Sequence, residues 1–125
     1  MSNFVVTSAF KIPVNGLSNL IGYAFDKFPN AKKYRDFRVM LDEMRSDIDA
    51  VTISTPDHHH AAATLAAMQL GKHVYTQKPL THNIHEARML TEAAKKYPKI
   101  VTQMGNQGSS NDGRRVLQEW FDVGL

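Results

Sequence analysis

Three short polar clusters carry the residue types in this chain that could do chemistry: Thr55-Pro56-Asp57-His58, Gln77-Lys78-Pro79 and Gln103-Met104-Gly105-Asn106. The amine of Lys78 is a group of the kind that assists proton transfer. By residue type alone it reads first as a solvated charge on a turn. His58-His59-His60 invites a metal. Adjacent residues at a helix start point about 100° apart, so three in a row do not converge on one ion. Ligating histidines sit at i and i+4 or come from separate elements. His82 and His85 stand three apart and make only a weak pair, so no metal site is expected. Asp57 reads as a helix cap rather than a general base. Ser54 lacks the G-x-S-x-G of a nucleophile elbow. The chain contains no cysteine, which excludes thiolate nucleophiles, disulfides, zinc–cysteine sites and iron–sulfur clusters.

The elements that must position these clusters follow from hydrophobic pattern. Asp47 to Thr55 is rich in β-branched residues and nearly apolar on both faces, which suits a buried parallel strand. Pro56 breaks it, and a helix follows from about His59 to Leu70, with Gly71 at its end. Ala62, Leu65, Ala66 and Met68 to Leu70 are its expected buried side. His73 to Thr76 is the next strand, ended by Pro79. Asn83 with Glu86 resembles a capping box, opening a helix to about Tyr97. Its stripe is Ile84, Ala87, Leu90, Ala93 or Ala94, and Tyr97. Lys99 to Gln103 is a third strand. A last helix starts near Asp112, with Val116, Leu117, Trp120 and Phe121 as its apolar stripe. Ahead of these, Arg38 to Arg45 reads as a short helix carrying Met40, Leu41 and Met44, after a helix end near 24–29. Residues 1–23 have no clear period. Phe4 to Thr7 could be a short strand, and Pro13, Asn15-Gly16 and Gly22 punctuate the rest.

Strand–helix–strand–helix–strand–helix with short connections is the signature of right-handed crossovers and a parallel sheet. Ligands bind such sheets beyond the C-terminal strand ends. All three polar clusters fall on that rim.

The clusters also resemble a known family. Thr55-Pro56-Asp57-His58-His59-His60, then Gly71-Lys72-His73-Val74-Tyr75-Thr76-Gln77-Lys78-Pro79-Leu80, then Thr102-Gln103-Met104-Gly105-Asn106-Gln107-Gly108 are similar to motifs of the Gfo/Idh/MocA oxidoreductases, NAD(P)-dependent dehydrogenases of sugars and cyclitols. The likeness runs from about Ala24 to Leu125. It implies an α/β fold, a partial Rossmann-like sheet of about three parallel strands flanked by helices. It implies that 24–125 is part of an NAD(P)-binding domain and that 1–23 is an atypical segment. It implies that Lys78 is catalytic, near nicotinamide and substrate. It implies that Thr55, Pro56, His60, Gln77 and Asn106 line the NAD or NADP pocket, His60 by a structural or pocket-lining role. Some relatives cleave glycosides through a transient oxidation, so a net redox change is not implied.

Departures from the family pattern carry weight. Gln77 stands where the motif usually has glutamate, and Asp57 where asparagine is common. The seven glycines, at 16, 22, 71, 105, 108, 113 and 124, make no G-x-G-x-x-G, so the phosphate-cradling turn is missing. The expectation is a family member shortened at both ends. Two functions follow: a fragment of an NAD(P)-dependent dehydrogenase of a sugar-like alcohol, or a non-catalytic, self-associating module. The Asp47–Thr55 strand would normally lie beside the family's first strand, so its free edge needs cover, from Phe4–Thr7 or from a second copy. A homo-oligomer is expected.

Composition narrows the partners. At 125 residues, 42% apolar and 22% charged, the chain is long enough for one domain with a core. The net charge of +3 is spread among acids, as in Lys32-Lys33-Tyr34-Arg35-Asp36, which argues against nucleic acid. No run reaches the roughly 18 apolar residues of a membrane span. With no basic-then-apolar leader at its start, the chain as it stands reads as cytoplasmic.

Overall fold

A computed structural model describes residues 4–7 and 26–124 of the chain. The expectations at Pro13, Asn15-Gly16, Gly22 and residues 24–25 lie outside the described residues. Strand β1 is Phe4–Thr7, β2 is Ala50–Ile53, β3 is His73–Gln77 and β4 is Thr102–Gly105. Helix α1 is Phe37–Glu43, α2 is Asp57–Gln69, α3 is Ile84–Lys96 and α4 is Asp112–Asp122. A 3-10 turn at Gln107–Ser109 links β4 to α4.

All pairings are parallel, in the order β1-β2-β3-β4. The three expected strands are present, and Phe4–Thr7 adds a fourth. It lies on the open edge of β2, in register Phe4 to Ala50 through Thr7 to Ile53. The edge that needed cover is therefore satisfied from within the chain. β4 begins three residues later than Lys99, because Pro98 to Ile100 form a turn closed by the Ile100 N–H donating to the Tyr97 carbonyl.

Helix α2 packs on β2 and β3, with α1 and α3 beside it. Val51, Ile53 and Val74 face Ala63, Ala67 and Met68 of α2, Met40 and Leu41 of α1, and Ala93 of α3. Small alanines let the helix lie close on the sheet. The buried side of α2 is His60, Ala61, Ala63, Thr64, Ala67 and Met68. Of the side expected from sequence, Met68 is buried, Leu65, Ala66 and Leu70 pack half-buried on the core, and Ala62 and Gln69 are exposed. Three successive alanines carry no phase, so packing and not pattern sets the rotation. On the other sheet face Ala50 and Thr52 are half-buried and Tyr75 is exposed. β2 therefore alternates instead of burying both faces.

The ends of the helices follow local chemistry. Asp57 is the first residue of α2 and not its cap; Pro56 occupies the cap position and offers no side-chain acceptor. The Asp57 carboxylate instead complements the helix dipole from the first turn. At the other end Gly71 takes φ +77°. Its N–H donates to the Met68 carbonyl and that of Lys72 to the Ala67 carbonyl, both at 3.0 Å. This is a Schellman ending, which needs a left-handed residue at that point. Asn83 caps α3 by accepting from the Glu86 N–H at 2.9 Å, and Glu86 reaches back to the His82 N–H at 2.8 Å. The reciprocal bond goes to the residue before the cap, a one-residue variant of the expected box. Among the described residues no helix is long and apolar enough to cross a membrane.

Candidate functional site

The parallel register stacks the C-terminal ends of β2, β3 and β4, so the three polar clusters share one rim. Thr55 and Pro56 form the half-buried turn after β2. Gln77 ends β3, half-buried, and Lys78 follows it, exposed, joined to Pro79 by a cis peptide bond. Asn106 stands exposed after β4 and caps the 3-10 turn.

His60 connects two of these turns. Its ring is only 1% exposed. Nε2 lies 2.7 Å from the Thr55 carbonyl oxygen and Nδ1 lies 2.5 Å from that of Pro79. Carbonyls only accept, so the ring nitrogen that carries hydrogen donates; a neutral ring satisfies one carbonyl and a doubly protonated ring satisfies both. The first turn of α2 is what brings the imidazole between them. His58 and His59 stack edge-to-face at 5.1 Å outside this arrangement. His60 is thus spent on backbone, and among the described residues no three of His, Asp or Glu group as metal ligands do.

The other two turns are joined as well. The Lys78 N–H donates to the Gly105 carbonyl at 3.0 Å. Side by side with that bond, Gln77 Nε2 donates to Gln107 Oε1 at 3.1 Å and Gln107 Nε2 donates to Gln77 Oε1 at 2.8 Å. Thr55, His60, Gln77 and Lys78 therefore take part in the bonds that join the turns, while Pro56 and Asn106 share the rim without a bond across it. Gln107 and Gly105 are the participants that sequence reasoning did not single out. The signal was available only in part: Gln107 follows Asn106 in a loop that the sequence puts on the same rim as Gln77.

A shallow depression of about 450 Å³ opens beside this rim, lined by Tyr75, Gln103, Asn106 and Ser109 among others. It takes in Asn106 but not Thr55, His60 or Lys78.

The fit to a dinucleotide is uneven. Thr55 Oγ1 is buried and has no hydrogen-bond partner among the described residues, a spare donor and acceptor that a bound polar group would satisfy after side-chain rotation. Lys78 and Asn106 are exposed on the same rim, after β3 and β4. For the diphosphate, the chain supplies no glycine-rich turn.

Residues 22–104 match an oxidoreductase family with an NAD-binding Rossmann fold. The chain belongs to the Gfo/Idh/MocA family. It is 32% identical over 96 residues to an inositol 2-dehydrogenase/D-chiro-inositol 3-dehydrogenase of Lacticaseibacillus casei, covering 77% of this chain and 27% of that enzyme. It is 47% identical over 55 residues to an oxidoreductase of Formosa agariphila, covering 44% of this chain and 17% of that one. A solved myo-inositol 2-dehydrogenase of Lactobacillus plantarum superposes with a TM-score of 0.72 at 27% identity, over 86% of this chain and 31% of that one. The chain spans less than a third of the length of these relatives.

Proposed function

We propose that this chain is the nicotinamide-side segment of an NAD(P)-dependent dehydrogenase of a sugar-like or cyclitol alcohol. The observation that carries the reading is the bonded rim, with the Thr55 turn tied by His60 to the Lys78-Pro79 turn and Lys78 tied to the loop of Asn106. Family membership and the inositol dehydrogenase relatives support the reaction class.

The bound nicotinamide would exchange hydride with a substrate carbon. Lys78 holds or moves the proton of the hydroxyl on that carbon. Thr55 and Pro56 lie along the dinucleotide, and Gln77 and Asn106 line the pocket. His60 keeps the first two turns at fixed separation. NAD and NADP remain equal candidates, since no acidic strand end that reads the ribose is among the described elements.

Calorimetric titration of the purified chain with NADH and NADPH tests this. Saturable micromolar binding, weakened by Lys78→Ala, is the expected result. Failure to bind at millimolar cofactor favours the second reading, a non-catalytic module that self-associates. That reading draws on the missing glycine turn and on the uncovered apolar stripe of α4.

A further inference from the structure

The Gln77–Gln107 contact has a chemistry of its own. Each amide donates one N–H and accepts at one oxygen, so the two side chains close a cyclic pair. Both bonds need a donor and an acceptor on each side chain, which an amide or a protonated carboxyl supplies and a carboxylate does not. A carboxylate at either position would keep one bond and set oxygen against oxygen across the other.

The surroundings are shaped for the pair. Gln77 lies opposite Gly105 in the β3–β4 register. A Cβ on Gly105 would stand 2.7 Å from Gln77 Oε1, and also 2.7 Å from Tyr75 Oη. The pair thus passes over a backbone position left bare. Gln107 is itself anchored as the first residue of the 3-10 turn that Asn106 caps. That turn is closed by the Ser109 N–H donating to the Asn106 carbonyl at 3.0 Å and by Asn106 Nδ2 donating to Ser109 Oγ at 3.1 Å. Beside the pair runs the bond from the Lys78 N–H to the Gly105 carbonyl.

We propose that Gln77 and Gln107 form an uncharged clasp that fixes Lys78 against the Asn106 loop, making Gln107 a positioning residue of the site. The clasp accounts for glutamine at 77, since a glutamate there would break one of its two bonds at neutral pH. What Lys78 does once positioned rests on the function proposed above; the clasp itself does not.

The test is hydrogen exchange at the Lys78 backbone amide, read as a protection factor in the full 125-residue chain. Protection is expected to be independent of pH between 5 and 8 in the wild type. In Gln107→Leu it falls about tenfold at both values, as for the loss of two modest hydrogen bonds. In Gln107→Glu it falls about as far at pH 8, where the carboxylate only accepts. It recovers toward wild type only as the pH falls below about 4, past the ordinary glutamate pKa of about 4.3, where protonation restores the donor. NADH affinity, measured on the same variants, should follow the same order. Wild-type protection in Gln107→Leu, or a Gln107→Glu variant that shows no recovery in acid, overturns the clasp. A wild-type chain that binds no NADH overturns the proposed function, while the exchange data still decide the clasp.

Discussion

The hydroxyl of Thr64 on α2 and the hydroxyl of Thr76 on β3 meet at 2.7 Å inside the helix–sheet interface. Both residues are buried, at 3% and 1% exposure. Neither hydroxyl has access to water, so each is the other's partner. The contact pins α2 to β3 next to the strand end that carries Gln77 and Lys78.

The asymmetry of buried hydrogen bonds sets the expectation. Thr64→Val leaves the Thr76 hydroxyl buried and unpaired, which costs about 1–3 kcal/mol. Thr76→Val does the same from the other side. The double variant replaces both hydroxyls by methyls of similar shape and should be nearly neutral. Urea midpoints of the four proteins check this as a cycle. Additive losses in the double variant would show that the hydroxyls do not depend on each other.

Two glycines should respond to alanine for different reasons. Gly71 has φ +77° and nothing within 4 Å of a built Cβ. Gly71→Ala therefore meets only backbone strain, about 1–2 kcal/mol, and Gly71→Asn should recover part of it. Gly105→Ala meets contacts of 2.7 Å to Gln77 and Tyr75 and 2.9 Å to the Tyr75 ring. Here the side chains above must move, so the Gln77–Gln107 pair opens and protection at the Lys78 amide drops. Thermal melts with hydrogen exchange separate the two cases: Gly71→Ala should lower the melting temperature without selectively exposing the Lys78 amide.

Element order was legible because β-branched runs, prolines and a helix-ending glycine punctuate it. The rim was legible too, since parallel strands send all their C-terminal ends one way. What pattern could not give was contact across elements. Alanines 61–63 concealed the rotation of α2. The partners of His60 are carbonyls of Thr55 and Pro79, and backbone oxygens have no residue type to read. Gln107 looked like loop polarity until the β3–β4 register set it beside Gln77. The strand at Phe4–Thr7 is legible as four β-formers, but sequence left two covers for the β2 edge, this strand or a second copy, and the pairing of β1 with β2 decides between them.

Asp36 gives a pH-dependent signal away from the site. Its carboxylate accepts from the Arg38 Nε at 3.0 Å and from the Arg38 backbone N–H at 2.9 Å, capping α1. The Arg38 side chain, then its backbone N–H, hold the Asp36 pKa down at about 2. A carboxyl lowered on folding contributes stability that is present above its unfolded pKa, about 3.9, and is lost as pH falls towards 2. Asp36→Asn keeps a capping oxygen but cannot titrate. The difference in denaturation midpoint between wild type and Asp36→Asn should thus be constant from pH 7 to 5 and shrink between pH 4 and 2. A difference that stays constant through that window would remove the Arg38 contact as its source.

The stripe on α4 makes the last expectation. Val116, Leu117, Trp120 and Phe121 recur at helical spacing, yet Trp120 is 54% and Phe121 66% exposed. Their helix packs closely on none of the described elements. Contiguous exposed apolar side chains favour association, because covering them removes apolar surface from water. The β2 edge no longer calls for a second copy, since Phe4–Thr7 fills it. Self-association should then run through α4. Light scattering is expected to give a mass above that of one chain, and Trp120→Glu with Phe121→Glu should return it to the monomer without loss of helix by circular dichroism. A wild-type chain that stays monomeric at high concentration would falsify association through this face. An oligomer that survives both glutamates would instead place the contact on the open sheet face around Tyr75.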